Sequence, residues 1–210
     1  IENEEKLGTV VYVAIDGKYA GNIVIADEIK EDSESAIFGM KKQGIKNIIM
    51  LTGDNKKIGE NVAKKLGITK VFSELLPTQK VEKLEEVMIE NGKNSGKVLF
   101  VGDGINDAPV LARADVGVAM GGVGSDAAIE AADVVIMNDE PSKIVTAIEI
   151  AKKTKTIVWQ NIIFALAVKG IILIMGALGF ATMWEAVFGD VGVALIAILN
   201  SMRTMYFFKK

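Results

Sequence analysis

The stretch Val101-Gly-Asp-Gly-Ile-Asn-Asp-Ala-Pro-Val-Leu111 decides the fold of this chain. An apolar, β-rich run, Lys97-Val-Leu-Phe-Val101, leads into a loop with two glycines and two aspartates, and a helix-like segment follows Pro109. This order predicts a strand, a turn and the start of a helix. In an open α/β sheet, ligands bind at the carboxyl ends of the strands, where backbone N–H groups and side chains converge. The loop is therefore the first candidate for a functional site.

The two carboxylates of this loop suit a magnesium ion. Asp103 and Asp107 would put hard oxygen ligands beside one another, which is the chemistry of Mg²⁺ when it holds a phosphoryl group. Gly102 and Gly104 allow the backbone to turn and to approach the ion. The alternative is a structural turn in which Asp107 caps the next helix, which accounts for Asp107 but not for the whole string.

The composition separates a charged part of the chain from an apolar part. Half of the 210 residues are hydrophobic (50%), 24% are charged, the net charge is −3 and the mean hydropathy is +0.33. The apolar excess is concentrated after about Ile157, which favours one α/β domain followed by a membrane segment. The net charge gives no case for nucleic-acid binding. Because Cys and His are absent, thiolate and imidazole metal sites are excluded within this chain.

Strands and helices are predicted to alternate along the first two thirds of the chain. Strands are expected at 9–15, 22–26, 47–51, 71–73, 98–101, 116–120 and 133–137, and helices from Asp32 or Ser33 to Gly44 and at 58–66, 79–88 and 126–132. The alternation implies an α/β fold with a mainly parallel, doubly wound sheet and right-handed crossovers.

Two further polar segments would open onto the same crevice. Thr52-Gly-Asp54 follows the strand expected at 47–51, and a threonine hydroxyl and free backbone N–H groups can hold phosphate oxygens there. Lys80, at the start of a predicted helix, could neutralise a phosphoryl group as a point charge. Taken singly, the first segment is better interpreted as a capped turn, and a lysine such as Lys80 is usually solvated.

The order of the three segments resembles the phosphorylation domain of the P-type ATPases, members of the haloacid-dehalogenase superfamily. The resemblance implies a haloacid-dehalogenase-like fold and a reaction that uses ATP and Mg²⁺. It implies that Thr52 and Lys80 contact the phosphoryl group, that Asp103 carries Mg²⁺ and that Asp107 supports the same site. The remaining residues carried over from the motifs are Gly53 and Asp54 in the catalytic set and Gly102, Gly104 and Asn106 in the supporting loop.

The resemblance also assigns domains. Residues 1–22 would end a nucleotide-binding domain, 23–151 would form a phosphorylation domain without its first strand, and 152–210 would form two transmembrane helices at about 157–180 and 183–206. The nucleophile of the family is the Asp of an Asp-Lys-Thr-Gly-Thr string, which this sequence does not contain. We assign no nucleophile and expect the chain to be part of a longer polypeptide and inactive by itself.

The apolar C-terminal part predicts a membrane hairpin. Lys and Arg cluster before the first span and after the second, so the positive-inside rule places both ends, and the phosphate site, in the cytoplasm of a multi-pass cell-membrane protein. If the turn lies near Gly179-Phe180, Lys169 and Asp190 are level near mid-membrane and could pair. A structural ion pair or snorkelling is the alternative, although ionisable groups inside a span usually mark an ion path.

The segments around these two residues resemble the last membrane helices of the zinc, cadmium and lead exporters among the heavy-metal ATPases. The similar stretches are Asn161 to Lys169, Gly179 to Trp184, Gly189-Asp-Val-Gly192 and Leu199-Asn-Ser-Met-Arg203. The resemblance implies that Asp190 is a ligand of the transported ion and that Lys169 helps to displace it. The Tyr-Asn and Met-x-x-Ser-Ser strings of copper exporters are absent. The expected cargo is Zn²⁺, Cd²⁺, Pb²⁺ or Co²⁺, and the expected surroundings are a lipid bilayer.

Two other functions remain open at this point. A membrane-tethered phosphohydrolase of the haloacid-dehalogenase type would carry an Asp-x-Asp upstream. A truncated, non-catalytic membrane partner would have a native polypeptide no longer than this chain.

Overall fold

The computed structural model describes residues 9–25, 28–92, 96–121 and 126–206. It divides into two compact units, Ile1–Val145, here the α/β unit, and Thr146–Lys210, here the helical unit.

The α/β unit begins with an antiparallel hairpin of β1 (Thr9–Ile15) and β2 (Lys18–Ile25). Asp16 and Gly17 join the strands with φ angles of 51° and 76°. Asp-Gly tolerates this left-handed backbone and matches the twist of a two-residue hairpin turn. The turn places Lys18 opposite Ile15, so the second strand begins four residues before the predicted Asn22.

Helices and short strands then alternate as the sequence predicts. The elements are α1 (Ser33–Lys42), β3 (Ile49–Leu51), α2 (Lys56–Leu66), β4 (Lys70–Phe72), α3 (Pro77–Gly92), β5 (Leu99–Gly102), α4 (Ala108–Arg113), β6 (Val116–Met120), α5 (Asp126–Ala131) and β7 (Val134–Ile136). The pairs β3–β4, β5–β6 and β6–β7 are all parallel. The predicted mainly parallel α/β fold is confirmed. Among the described strands, β3 and β5 do not pair, so the sheet consists of a two-stranded and a three-stranded group.

Local signals account for the ends of α2. The side chain of Asn55 accepts hydrogen bonds from the backbone N–H groups of Lys57 and Ile58, and Gly67 ends the helix with a φ of 65°. Because the cap is Asn55, the helix starts at Lys56, two residues before the predicted Ile58.

The side-chain capping bond predicted for Asp32 at the start of α1 is wrong. Asp32 occupies the N-cap position of α1 but makes no side-chain capping bond there. Its carboxylate instead accepts a hydrogen bond of 2.8 Å from the backbone N–H of Ser142, which lowers the pKa of Asp32. An acceptor that stands next to one helix in sequence can therefore serve the start of another helix.

The core of the α/β unit supports the loop that follows β5. Leu111 on α4 packs with Ala119 on β6 and Ala128 on α5. A Cβ on Gly117 would lie 2.5 Å from the carbonyl oxygen of Leu111, so β6 passes directly against α4. This contact holds α4, the helix that follows residues 103–107, against the sheet.

The helical unit contains the greater part of α6 (Ser142–Ala177), and then α7 (Met183–Val187), a π-helical turn (Phe188–Gly192) and α8 (Val193–Tyr206). The stretches Ser142–Ala177 and Met183–Met205 are long and apolar enough to cross a membrane. Gly179, with a φ of 78°, and Phe180 donate to the carbonyls of Gly176 and Met175, a Schellman motif that ends α6. The turn therefore lies where the sequence predicts it.

Buried and half-buried positions form a stripe along each span, and we name the two stripes together the seam. On α6 they are Ile157, Asn161, Ala165, Val168, Ile172 and Met175, and on the second span they are Glu185, Gly189, Val193, Ala197, Asn200 and Thr204. The repeat of three and four residues is that of two helices packed side by side.

Candidate functional site

The loop after β5 brings Asp107 beneath the end of that strand. A short 3₁₀ turn, Ile105–Asp107, connects the strand to α4, and the N–H of Asp107 donates to the carbonyl of Gly104. A Cβ on Gly102 would lie 2.7 Å from the Cβ of Asp107, so glycine is required for this approach. Asp103 and Asn106 are exposed, whereas Asp107 is buried.

Asp107 makes an ion pair with Lys80. The Nζ of Lys80 lies 2.8 Å from Oδ1 of Asp107, and the two side chains are only 17% and 12% exposed. Although Asp107 stands at the N-cap of α4, it makes no capping bond with its side chain. Helix capping, the structural alternative, therefore does not explain why an aspartate stands at position 107. The pair joins the first turn of α3 to the loop after β5, and its enclosure strengthens the attraction between the charges.

Thr52 and Asp54 form a second small constellation after β3. The hydroxyl of the buried Thr52 donates to Oδ2 of Asp54 at 2.7 Å and accepts from the backbone N–H of Asp54 at 3.1 Å. The backbone of Thr52 bonds to Phe72 and Leu75, which fixes the loop against the end of β4. Gly53 is exposed. Thr52 would have to turn its hydroxyl away from Asp54 in order to donate to a phosphate oxygen.

The donor set of the loop after β5 fits a magnesium ion. Mg²⁺ binds one or two carboxylates, keeps several waters and takes its remaining ligands from phosphate oxygens. Asp103 and Asp107 are two such carboxylates. In the described part of the chain no three Asp, Glu, His or Cys side chains form a group that could hold a metal by itself. An ion here would be bound together with a phosphoryl group.

A second charged pair lies in the helical unit. The Nζ of Lys169 on α6 is 3.1 Å from Oδ1 of Asp190, so the pairing predicted across the hairpin is present. Asp190 lies in the π-helical turn, a distortion that is frequent at functional sites. A Cβ on the neighbouring Gly189 would lie 2.5 Å from Cδ1 of Ile172, so the two spans touch beside the pair.

Sequence reasoning missed a polar cluster between the same two helices. Asn161 and Asn200 hydrogen-bond to each other across the hairpin, with Ser201 and the carbonyl of Ala197 as further partners of Asn161. Asn161 and Asn200 are recognisable in the sequence as polar residues within apolar spans. That they contact each other is evident only from their positions in the seam. A search for polar residues at seam positions would have found them.

Comparisons with known proteins agree with these observations. A family model described as haloacid dehalogenase-like hydrolase matches residues 1–115. The cadmium, zinc and cobalt-transporting ATPase of Bacillus subtilis (strain 168) is 62% identical over 202 residues, which are 96% of this chain and 29% of that protein. The zinc-transporting ATPase of Synechocystis sp. is 56% identical over 196 residues, 93% of this chain and 27% of that protein.

A solved structure extends the similarity to the fold. The crystal structure of a zinc-transporting PIB-type ATPase in the E2.Pi state superposes with a TM-score of 0.84 at 35% identity, covering 95% of this chain and 32% of that one. This chain thus spans less than a third of the length of these relatives.

The resemblance to heavy-metal P-type ATPases that the motifs indicated is confirmed over nearly the whole chain. The predicted membrane location, with a cytoplasmic phosphorylation domain, is confirmed by the two apolar helices and by the transporting ATPases that the chain matches. The parallel sheet, the loop after β5 and the family model lead to one conclusion. The chain belongs to the haloacid dehalogenase-like hydrolase family.

Proposed function

We propose that this chain is the C-terminal part of an ATP-driven exporter of divalent metal ions that works through an aspartyl-phosphate intermediate. The observation that carries the proposal is the Lys169–Asp190 pair between two apolar helices, in a chain that also has an enclosed Lys80–Asp107 pair at a strand end. One pair suits a phosphoryl group and the other suits a cation. An ATP-driven pump requires both.

The phosphoryl site would use the three loops of the α/β unit. Asp103 and Asp107 would hold Mg²⁺, which when bound neutralises charge on the phosphoryl oxygens. The ammonium group of Lys80, already held at the site by Asp107, would supply a further positive charge. Thr52 would donate its hydroxyl to a phosphoryl oxygen, and Asp54 would hold that hydroxyl when phosphate is absent. Gly53, Gly102, Gly104 and Asn106 would shape the surrounding backbone.

The transport site would use competition at Asp190. A divalent ion bound to this carboxylate would compete with the ammonium group of Lys169 for the same oxygen atoms, because both are cations. When the ion leaves, Lys169 can return and neutralise the carboxylate, which would otherwise be a costly lone charge in a bilayer. The pair would therefore favour release of the ion.

The relatives support a divalent cargo. The relative from Bacillus subtilis is named for cadmium, zinc and cobalt, and the relative from Synechocystis sp. is named for zinc. We propose Zn²⁺, Cd²⁺ and Co²⁺ as the transported ions. We add Pb²⁺ because the motifs around Lys169 and Asp190 resemble those of zinc, cadmium and lead exporters. We propose residues 1–22, 23–151 and 152–210 as the domain divisions.

The test is acid-stable phosphoenzyme formation from labelled ATP by the complete polypeptide in native membranes, with one metal added at a time. We expect a labelled protein with Zn²⁺ or Cd²⁺ and none with Cu⁺. Label that depends on Cu⁺ would overturn the metal class. Absence of label with every metal would overturn the proposal that the complete protein is a metal pump.

A further inference from the structure

The polar cluster between α6 and the second span is fully hydrogen-bonded. The side-chain NH₂ group of Asn161 donates to the carbonyl of Ala197 at 3.2 Å and to the hydroxyl of Ser201 at 3.0 Å. The NH₂ group of Asn200 donates to Oδ1 of Asn161 at 2.8 Å and to Oε1 of Gln160 at 3.4 Å. Each amide therefore uses both of its N–H bonds across the hairpin.

The oxygen atoms of the cluster are also occupied. Oδ1 of Asn161 accepts from Asn200, and Oδ1 of Asn200 accepts from the guanidinium group of Arg203 at 2.8 Å. A cation at this cluster would have to displace these donors and lie beside the positive charge of Arg203. The cluster is therefore suited to fastening the helices together and not to binding an ion.

Asn161 and Asn200 occupy seam positions that are otherwise largely apolar or small. A single buried asparagine in such a repeat fixes the register of two helices, because only one alignment pairs its amide groups. In a bilayer, a slipped alignment would leave those amide groups in hydrocarbon without partners. The asparagines thus discriminate between alignments that apolar side chains alone would tolerate.

The same alignment brings the charged pair together. Ile172 lies eleven residues after Asn161 on α6, and Gly189 lies eleven residues before Asn200 on the second span. The contact between Gly189 and Ile172 therefore has the same register as the contact between the asparagines. Lys169 and Asp190 lie inside this interval. A slip by one residue would move one partner by ~1.5 Å along its helix.

We propose that Asn161 and Asn200 are positioning residues that set the register of the hairpin and so hold Lys169 and Asp190 at the distance needed for cation exchange. The part of this inference that concerns the cation rests on the proposed function. The part that concerns register stands on the hydrogen bonds alone.

The first experiment measures zinc-stimulated ATP hydrolysis by the complete protein in membranes with Asn161→Leu, Asn200→Leu and both together. Each single variant is expected to raise the half-saturating zinc concentration about tenfold, equivalent to ~1.4 kcal/mol, while the maximal rate stays within about twofold. The double variant is expected to equal the single ones, because either change removes the shared bond. Thr156→Val is the control, since the exposed Thr156 lies outside the cluster and its hydroxyl donates to the carbonyl of Lys152 in the same helix, and it should leave the zinc dependence unchanged.

A half-saturating zinc concentration that stays constant in the asparagine variants, even if less protein accumulates, would mean that the cluster only stabilises the fold. That result overturns the positioning role.

The second experiment reads the register without a metal. In the complete protein, with any cysteine outside this chain replaced, Ile172→Cys combined with Gly189→Cys should give a disulfide, because a Cβ on Gly189 would lie against the side chain of Ile172 and this chain itself contains no cysteine. Leu173→Cys with Gly189→Cys is the control pair, since Leu173 is exposed outside the seam and should not react. Adding Asn161→Leu and Asn200→Leu is expected to lower the yield of the first pair about fivefold, because the geometry of disulfides tolerates little displacement.

The two experiments separate the two claims. An unchanged disulfide yield in the asparagine variants overturns the register assignment alone. Absence of zinc-stimulated hydrolysis in the unaltered protein overturns the proposed function, whereas the disulfide yields still decide the register.

Discussion

The molecule contains two lysine–aspartate pairs of similar length in contrasting surroundings. Lys80 and Asp107 are 2.8 Å apart, and the chain encloses them so that their side chains are 17% and 12% exposed. Lys169 and Asp190 are 3.1 Å apart but 55% and 77% exposed in this chain. Residues of the α/β unit surround the first pair on nearly every side. In this chain, the second pair is covered by little apart from the facing helix.

This difference indicates what each pair can do. An enclosed pair with backbone support is a fixed arrangement, which suits a charge that must stand ready at a reacting phosphoryl group. In the open pair, the carboxylate of Asp190 meets an ammonium group from the facing apolar helix, and a metal ion could replace that group because both are cations. We therefore expect the two pairs to be separate in function and unequal in rigidity.

Removal of the exposed carboxylate beside the enclosed pair should have the largest effect. Asp103→Ala is expected to lower phosphoenzyme formation from ATP in the complete protein by at least about a thousandfold, because the candidate Mg²⁺ site loses one of its two carboxylates. The measurement is acid-stable label after quenching. Glu82→Ala, at an exposed acid of α3, should leave the label unchanged. Normal labelling of the Asp103 variant would disprove its role.

Asp190→Ala should separate the two pairs. We expect phosphorylation by ATP to remain possible, while its stimulation by zinc falls by roughly a hundredfold because the exchanging carboxylate is missing. Glu185→Gln changes the other acid of the second span and should keep the zinc response. Zinc-stimulated turnover retained by the Asp190 variant would contradict the assignment of the open pair.

Lys80→Met should test the rigidity of the enclosed pair. It leaves the carboxylate of Asp107 buried without its cation, which is expected to reduce the local opening free energy of β5 and α4 by roughly 1–3 kcal/mol. Hydrogen exchange of these segments in the complete protein measures the change. Lys64→Met, at an exposed lysine of α2, is the control and should cost little. Equal protection in both variants would show that the pair is not a structural support.

The smallest effect is expected at a carboxylate outside both pairs. Asp115 accepts hydrogen bonds from Lys97 and from the backbone N–H of Val98, and these lower its pKa below the ordinary 3.8. Because the folded state favours the ionised form, its stabilisation is present above that value and is lost as the pH falls through the lowered pKa. Asp115→Asn should therefore reduce protection of β5 at neutral pH, and the difference should shrink in acid. A difference that is constant with pH would refute this origin.

The sequence predicted local structure well where single residues determine it. The glycines and Pro109 around the loop after β5 require a strand, a turn and a helix, and this is the order found. The motif order also singled out Lys80 and Asp107, although their direct contact depends on tertiary packing. Short-range signals sufficed for these features.

Features that need a distant partner were less predictable. The strand expected at 47–51 is limited to Ile49–Leu51, because only three residues of β4 pair with it. The carboxylate of Asp32 binds Ser142 at the far end of the α/β unit, which nothing near Asp32 indicates. The meeting of Asn161 and Asn200 likewise depends on the register of two helices.

The most direct test of the account is ATP-driven uptake of radioactive zinc into sealed membrane vesicles whose cytoplasmic face is outward, compared for the unaltered complete protein, Asp103→Ala and Asp190→Ala. We expect uptake by the unaltered protein and none in either variant. Of the two variants, only Asp190→Ala should form phosphoenzyme from ATP. Zinc uptake by the Asp190 variant, or uptake of Cu⁺ in place of zinc by the unaltered protein, would contradict the assignment of the open pair to a divalent metal ion.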